Sequence, residues 1–366
     1  MRPSRNRPPM NRFPRRSLGI AAAALLTVSL LGNPAVAQPR DSFKIAWSIY
    51  VGWMPWGYGE AEGIVKKWAD KYDISIEVVQ INDYVESINL YTAGSFDGVA
   101  LTNMDALTIP AAGGVDTTAL ILGSTSNGND GIVLKGASGL AAIKGRDVNL
   151  VELSVSHYLL ARGLESVGLT ERDVRVVNTS DADIVTVASS PDVNAVVAWK
   201  PQLSEISKLQ GAQLVFDSSR IPGEIIDTLS VNTEVLAANP NLGKALAGAW
   251  YEIMQLMSAP ATSRAARTAM GEASGTDLAG YEEQLATTQL FATPADAMKF
   301  ATVAQLRETM DSVRKFAFEH GLLGENASSA DFVGIAFADG SVLGNPNNVR
   351  LRFSADYVKL AAEGKL

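Results

Sequence analysis

Residues 43–80 read FKIAWSIYVGWMPWGYGEAEGIVKKWADKYDISIEVVQ, a strand–helix–strand unit in a single line. Phe43 to Trp47 and Ser75 to Gln80 are short apolar runs rich in β-branched and aromatic residues. Between them, Gly59 to Tyr72 has helical spacing, with Ile64, Val65 and Trp68 on one side. Two strands separated by such a helix join as parallel neighbours, because a helical crossover is what a parallel pair needs. The alternation continues outward through Gly98 to Thr102, Thr118 to Leu122, Val148 to Leu153, Val174 to Asn178, Ala195 to Trp199 and Gln213 to Phe216. Strands alternating with helices predict an α/β fold of parallel βαβ units.

Beyond Asp227 the character changes. One more strand-like run, Thr228 to Asn232, is followed by what reads as almost pure helix, giving a helical C-terminal region. Leu242, Leu246, Ala249, Ile253 and Leu256 recur at three-and-four spacing, as do Val303, Leu306, Met310, Val313 and Ala317. Thr293-Pro294-Ala295-Asp296 supplies a cap, a first-turn proline and an acid for the later helix. Two polar, Gly-rich stretches, GSTSNGNDG at 123–131 and DSSRIPG at 217–223, are placed where the chain could cross between lobes and return. The expected layout is one lobe of residues 41–124 with 225–366, and a second of 125–224, hinged around a ligand cleft.

The first 37 residues set the expected compartment. Six arginines and no acids precede an apolar run from Leu18 to Leu31, and Ala35-Val36-Ala37 then supplies a small-x-small site. That order reads as a cleavable signal peptide, residues 1–37, and predicts a periplasmic protein. Arg15-Arg16 loosely fits a twin-arginine signal, although any basic leader contains such pairs, and the ordinary Sec route is favoured. The whole chain carries 31 basic and 39 acidic side chains, a net charge of −8, which becomes −14 without the six leader arginines. Such a charge repels nucleic acid and anionic membrane surfaces. Cysteine is absent, which excludes disulfides, thiol catalysis and thiolate-bound zinc.

The leader, KIAWSIYVGWMPWGYGEAEGIVKKW at 44–68, FDGVALTNMDALTIPAAGG at 96–114 running on to TSNGNDGIVLKG at 125–136, and AVVAWKP at 195–201 together carry a resemblance. They resemble periplasmic solute-binding proteins of the nitrate, sulfonate and taurine type. More narrowly, they resemble the urea-carboxylase-associated branch, whose neighbouring carboxylase is linked to guanidine degradation. The resemblance covers nearly the whole chain after the leader. It implies a two-lobed periplasmic binding protein fold (type II-like), monomeric and non-catalytic, which passes a small solute to an ABC permease in the inner membrane.

In open α/β sheets, ligands bind beyond the carboxyl ends of the strands. Those positions hold Trp53 and Trp56 after the first strand, Asp83 after the second, Asp105 after the third, then Glu152 and Trp199 in the inserted lobe, and Asp227 at the return crossing. An anion site would use helix N-termini backed by Lys or Arg. Here carboxylates stand at five such places, Asp130 included, and Lys200 is the one basic residue among them. A cation is therefore expected, with guanidinium first, urea second, and taurine or nitrate third. A planar guanidinium stacks on a Trp face while a carboxylate takes its N–H groups in a fork. Glu152 is expected to be the central carboxylate, because an acid ending an apolar strand needs a partner. Asp83 and Asp105 also stand where helix caps would, and Asp130, beside glycines, reads as a turn residue.

No cofactor is expected. Gly57-Tyr58-Gly59 is followed by Gly63, one place too late for a dinucleotide fingerprint, and no phosphate loop occurs. His157 and His320 are isolated in sequence and read as capping or surface residues rather than metal ligands. The competing class is a periplasmic hydrolase working with paired carboxylates.

Overall fold

A computed structural model describes residues 40–366; the expected signal peptide lies outside the described residues. The protein is a two-lobed α/β fold built on two sheets. Four strands open the first sheet: β1 (Ser42–Trp47), β2 (Ser75–Gln80), β3 (Gly98–Thr102) and β4 (Thr117–Ser126). The chain then crosses and lays down β5 (Asp130–Lys135), β6 (Asp147–Leu150), β7 (Arg175–Asn178), β8 (Ala195–Trp199) and β9 (Ala212–Asp217) as a separate sheet in the order β7-β6-β8-β5-β9. It returns through β10 (Ile226–Asn232) and adds β11 (Thr288–Leu290), β12 (Gly334–Ala336), β13 (Val342–Leu343) and β14 (Val349–Phe353). The first sheet runs β13-β12-β14-β4-β10-β3-β1-β2, with β11 also paired to β4.

The parallel expectation holds for β1 with β2 and β3, and for β6 with β7 and β8. It fails at the crossings. β10 is antiparallel to both β3 and β4, and β5 is antiparallel to β8 and β9. The strands that carry the chain out and back approach their neighbours from the opposite end, so the crossing itself dictates their direction.

The C-terminal region is not purely helical, since β11 to β14 lie within it. These strands have two to five residues and sit at or near an edge, too short to produce a legible alternation. The helix expected from Gly59 to Tyr72 is two helices, Met54–Ala61 and Ile64–Lys71, broken at Gly63, whose φ of 70° is left-handed. Thr293 caps a separate helix, Pro294–Ala301, and not the helix Ala304–Glu319 that carries Leu306, Met310 and Val313. The glycines of Gly57-Tyr58-Gly59 serve packing: a Cβ on Gly57 would lie 2.4 Å from the Trp47 ring, and one on Gly59 would lie 2.5 Å from Ile253. Among the described residues, no helix is long and apolar enough to cross a membrane.

The two lobes stand closed on each other. Ser180 Oγ donates to Asp83 Oδ2 at 2.7 Å, the Tyr84 amide donates to Asp181 Oδ1 at 3.1 Å, and Lys200 pairs with Glu283 at 2.6 Å. A further bridge joins His157 of the helix Val155–Ser166, Glu171, and His320 at the end of the helix Ala304–Glu319. The Leu153 amide donates to His157 Nδ1, so Nε2 of that ring carries the proton given to Glu171. Both nitrogens of His320 face acceptors, the Phe316 carbonyl and Glu171, which makes it an imidazolium. The Glu171 bond raises the pKa of His320. Burial pushes Glu171 up, but its bonds from the two histidines outweigh this and hold its carboxyl at about 2.

Glu171→Gln is accordingly expected to cost about 1–3 kcal/mol in urea unfolding at pH 6. Because the folded pKa of His320 is raised, its contribution is full below about 6.5 and is lost as pH rises through the folded value, so the cost should shrink by pH 9. An undiminished cost at pH 9 would contradict the imidazolium assignment.

Candidate ligand-binding site

Where the lobes meet, nine side chains close a cavity in which the centre of a water-sized sphere can occupy only about 10 Å³. That is room for about one water-sized group and little more. Its aromatic wall is a train of four rings. Tyr50 and Trp53 have centroids 4.8 Å apart, Trp53 and Tyr84 5.3 Å, and Tyr84 and Trp199 5.5 Å, the last pair edge-on. Trp53 is placed by the tight turn after β1 as the N-cap of Met54–Ala61, and Trp199 closes β8. Val155, Ile225 and Thr102 complete the wall together with Asp130 and Asp227.

Three buried carboxylates gather here, each bonded to hydroxyl groups and none to a cationic side chain. Asp227, the second residue of β10, lies beside β4 and accepts from Tyr50 Oη at 3.1 Å and from Ser124 Oγ. Asp130, the first residue of β5, accepts from Ser126 Oγ. Asp105 stands behind Tyr84 and Thr102, whose hydroxyls reach its Oδ2 at 2.6 and 2.8 Å, while its Oδ1 is buried without a partner.

Burial disfavours their ionised forms. It pushes Asp227 up to about 8, with Asp130 adding repulsion and the bonds from Ser124 and Tyr50 opposing. It pushes Asp130 up to about 7, opposed by Ser126 and helped by the charge of Asp105. Burial raises Asp105 to about 6, against the hydrogen bonds from Tyr84 and Thr102. The same burial drives the Tyr50 and Tyr84 hydroxyls far above their ordinary value, so both remain donors. Acids this perturbed, converging on one closed cavity, make it the candidate site.

Of the expected site residues, Trp53, Trp199 and Asp227 line the cavity, and Asp105 lies directly behind its wall. Asp83 caps the helix Tyr84–Thr92 through the Glu86 amide and ties the lobes through Ser180, a rim position. Trp56 is not on the wall; it is 1% exposed and stacks on Trp250, centroids 5.1 Å apart, in the core. Glu152 is exposed. β6 ends at Leu150, short of the expected Leu153, and the chain turns through a left-handed Leu153 (φ 63°), leaving Glu152 in solvent where it needs no partner.

Asp130, one of the five acids and expected to be a turn residue, instead begins β5. It sits 2% exposed on the cavity wall. Tyr50 and Tyr84, outside the expected set, are wall residues too. A wider groove on the outer face, lined by Trp68, Tyr251 and Leu256, is open and has no such convergence of charge; its Glu252 is held by Lys67 and the Trp68 indole. Among the described residues no group of three or more His, Asp or Glu side chains is arranged to hold a metal ion.

Solved structures share this architecture. The alkanesulfonate-binding protein SsuA from Xanthomonas axonopodis pv. citri, bound to MOPS, superposes with a TM-score of 0.65 at 16% identity, covering 79% of this chain and 96% of that one. The periplasmic aliphatic sulphonate binding protein SsuA from Escherichia coli gives 0.64 at 15% identity over 78% and 95%. The periplasmic nitrate-binding protein NrtA from Synechocystis PCC 6803 gives 0.57 at 13% over 88% and 98%. No curated protein sequence matches the chain. The NMT1/THI5-like family profile matches residues 64–260, more than half of the sequence, and the chain belongs to that family.

Proposed function

We propose that this protein is the periplasmic substrate-binding subunit of an ABC importer and that it captures guanidinium without transforming it. The lobes, 41–124 with 225–366 and 125–224, would close over the solute and present the loaded form to an inner-membrane permease. The observation that carries the ligand is the meeting of Asp105, Asp130 and Asp227 at one aromatic-walled cavity that no Lys or Arg lines. Structural neighbours are named for sulfonate or nitrate, but at such low identity they speak for the fold alone. This wall offers an anion no cationic side chain, and its acids repel one once they ionise. A guanidinium stacked between rings gains cation–π attraction, and its N–H groups match the carboxylates.

A second reading, urea, is favoured by one feature: the indole N–H of Trp53 is buried without an acceptor, and a carbonyl could take it. Against urea, the clustered acids would keep their uncompensated burial.

Calorimetric titration with guanidinium at micromolar to low millimolar concentration, beside urea, taurine and nitrate, tests the proposal. Guanidinium is expected to bind and the anions not to. Tight nitrate or taurine binding with no guanidinium response would overturn the electrostatic reading, and product formed on long incubation would overturn the non-catalytic one.

A further inference from the structure

Two cavity walls offer the ligand neither charge, hydrogen bond nor π-face. We infer that Val155 and Ile225 set the size of the cavity and make the protein selective for the bare planar cation over its N-alkyl derivatives. The inference rests on the guanidinium reading and refines it from a ligand class to a steric limit.

The two side chains come from opposite lobes and are almost fully buried, at 3% and 2% exposure. Val155 is the first residue of the helix Val155–Ser166. Ser154 caps that helix from the Ser156 amide while its own hydroxyl donates to the Val151 carbonyl at 2.7 Å. Ile225 is pinned from both sides: its carbonyl accepts from the Ser126 amide at 3.1 Å, and the next amide, of Ile226, donates to Asn103 Oδ1 at 3.0 Å. The Asn103 side chain also donates to the Glu224 carbonyl at 3.1 Å. Neither backbone can retreat without breaking bonds that hold a helix start or a lobe crossing. Both side chains are β-branched, so rotation about χ1 offers little relief.

The remaining walls are equally committed. The four rings pack on one another, and Tyr50 and Tyr84 are tied through their hydroxyls to Asp227 and Asp105. In space this small, an added methyl must displace one of these groups or hold the lobes apart. A well-packed site discriminates a single methyl by roughly 10- to 200-fold. Because Val155 and Ile225 make no polar contact with a cation, truncating them should change which cations fit more than how tightly guanidinium is held.

The test is calorimetric titration of guanidinium, N-methylguanidinium and N,N-dimethylguanidinium into the wild-type protein and the variants Ile225→Ala and Val155→Ala, with circular dichroism to show that each is folded. Ile225→Val serves as the milder variant should the alanine unfold the crossing. The wild type is expected to prefer guanidinium over N-methylguanidinium at least about tenfold. Ile225→Ala or Val155→Ala should bring that ratio to within about threefold, and Val155→Ile should lose guanidinium binding. Guanidinium binding with equal affinity for the methylated ions, or a ratio unchanged in every variant, overturns the inference while leaving the guanidinium reading intact. Failure of the wild type to bind any of the three overturns both.

Discussion

Replacing Asp227 by asparagine is expected to raise the Kd for guanidinium at least about 100-fold, a loss of about 3 kcal/mol, while making the empty protein more stable above pH 8. The two effects share one cause. Asp227 is 2% exposed and its neighbours are hydroxyls and another acid, so nothing in the empty cavity compensates its charge. Asparagine keeps the shape and can still accept from Tyr50 and Ser124, which confines the change to charge. A residue that served only to pack would show the opposite pairing, with lower stability and binding reduced in proportion. Glu152→Gln is the matched control. Lying in solvent, Glu152 should leave binding within about twofold of wild type, as surface substitutions usually do. Titration calorimetry and thermal unfolding with and without guanidinium read both variants, and wild-type affinity in Asp227→Asn would remove Asp227 from the site.

Much of this arrangement was legible before the structure. β2, β3 and β8 begin and end where their apolar runs do, and the rule that ligands sit beyond strand ends led to Trp53, Trp199, Asp105 and Asp227. The rule failed where local chain geometry departs from the apolar pattern. Asp130 was hidden because Gly131 beside it imitates a turn, yet that glycine is there for packing: a Cβ would lie 2.6 Å from Leu214 and 2.9 Å from Leu203. Glu152 misled because an apolar run does not reveal where a strand stops, and the left-handed Leu153 is not a residue type that announces a turn. Trp56 was indistinguishable from Trp53 in a stretch with both rings three residues apart, and only the opposing Trp250 decides between them. The bridge of His157, Glu171 and His320 joins residues up to 163 positions apart, a distance over which pattern carries no signal.

The pH dependence of binding follows from the same three acids, and it separates guanidinium from urea. Burial raises the folded pKa of Asp227, Asp130 and Asp105 from 3.8 to about 8, 7 and 6. Since the folded, empty protein holds these protons more tightly than the unfolded chain, its stability is greatest where they are bound and falls as pH rises from about 4 toward 8. A bound cation takes the place of about one of these protons and recovers part of that loss. Guanidinium affinity should therefore strengthen as pH rises, by about tenfold per unit for each proton displaced, giving a change on the order of 100- to 1,000-fold between pH 5 and 8. The three groups repel one another and titrate as a set, so the curve is expected to be broad. Calorimetry in buffers of different ionisation enthalpy counts the released protons directly, and about one is expected near pH 7. Urea brings no charge to replace them, so its binding should release none and should not strengthen with pH. An affinity for guanidinium that is flat from pH 5 to 9, with no proton release, would mean that these carboxylates are not its counter-ions.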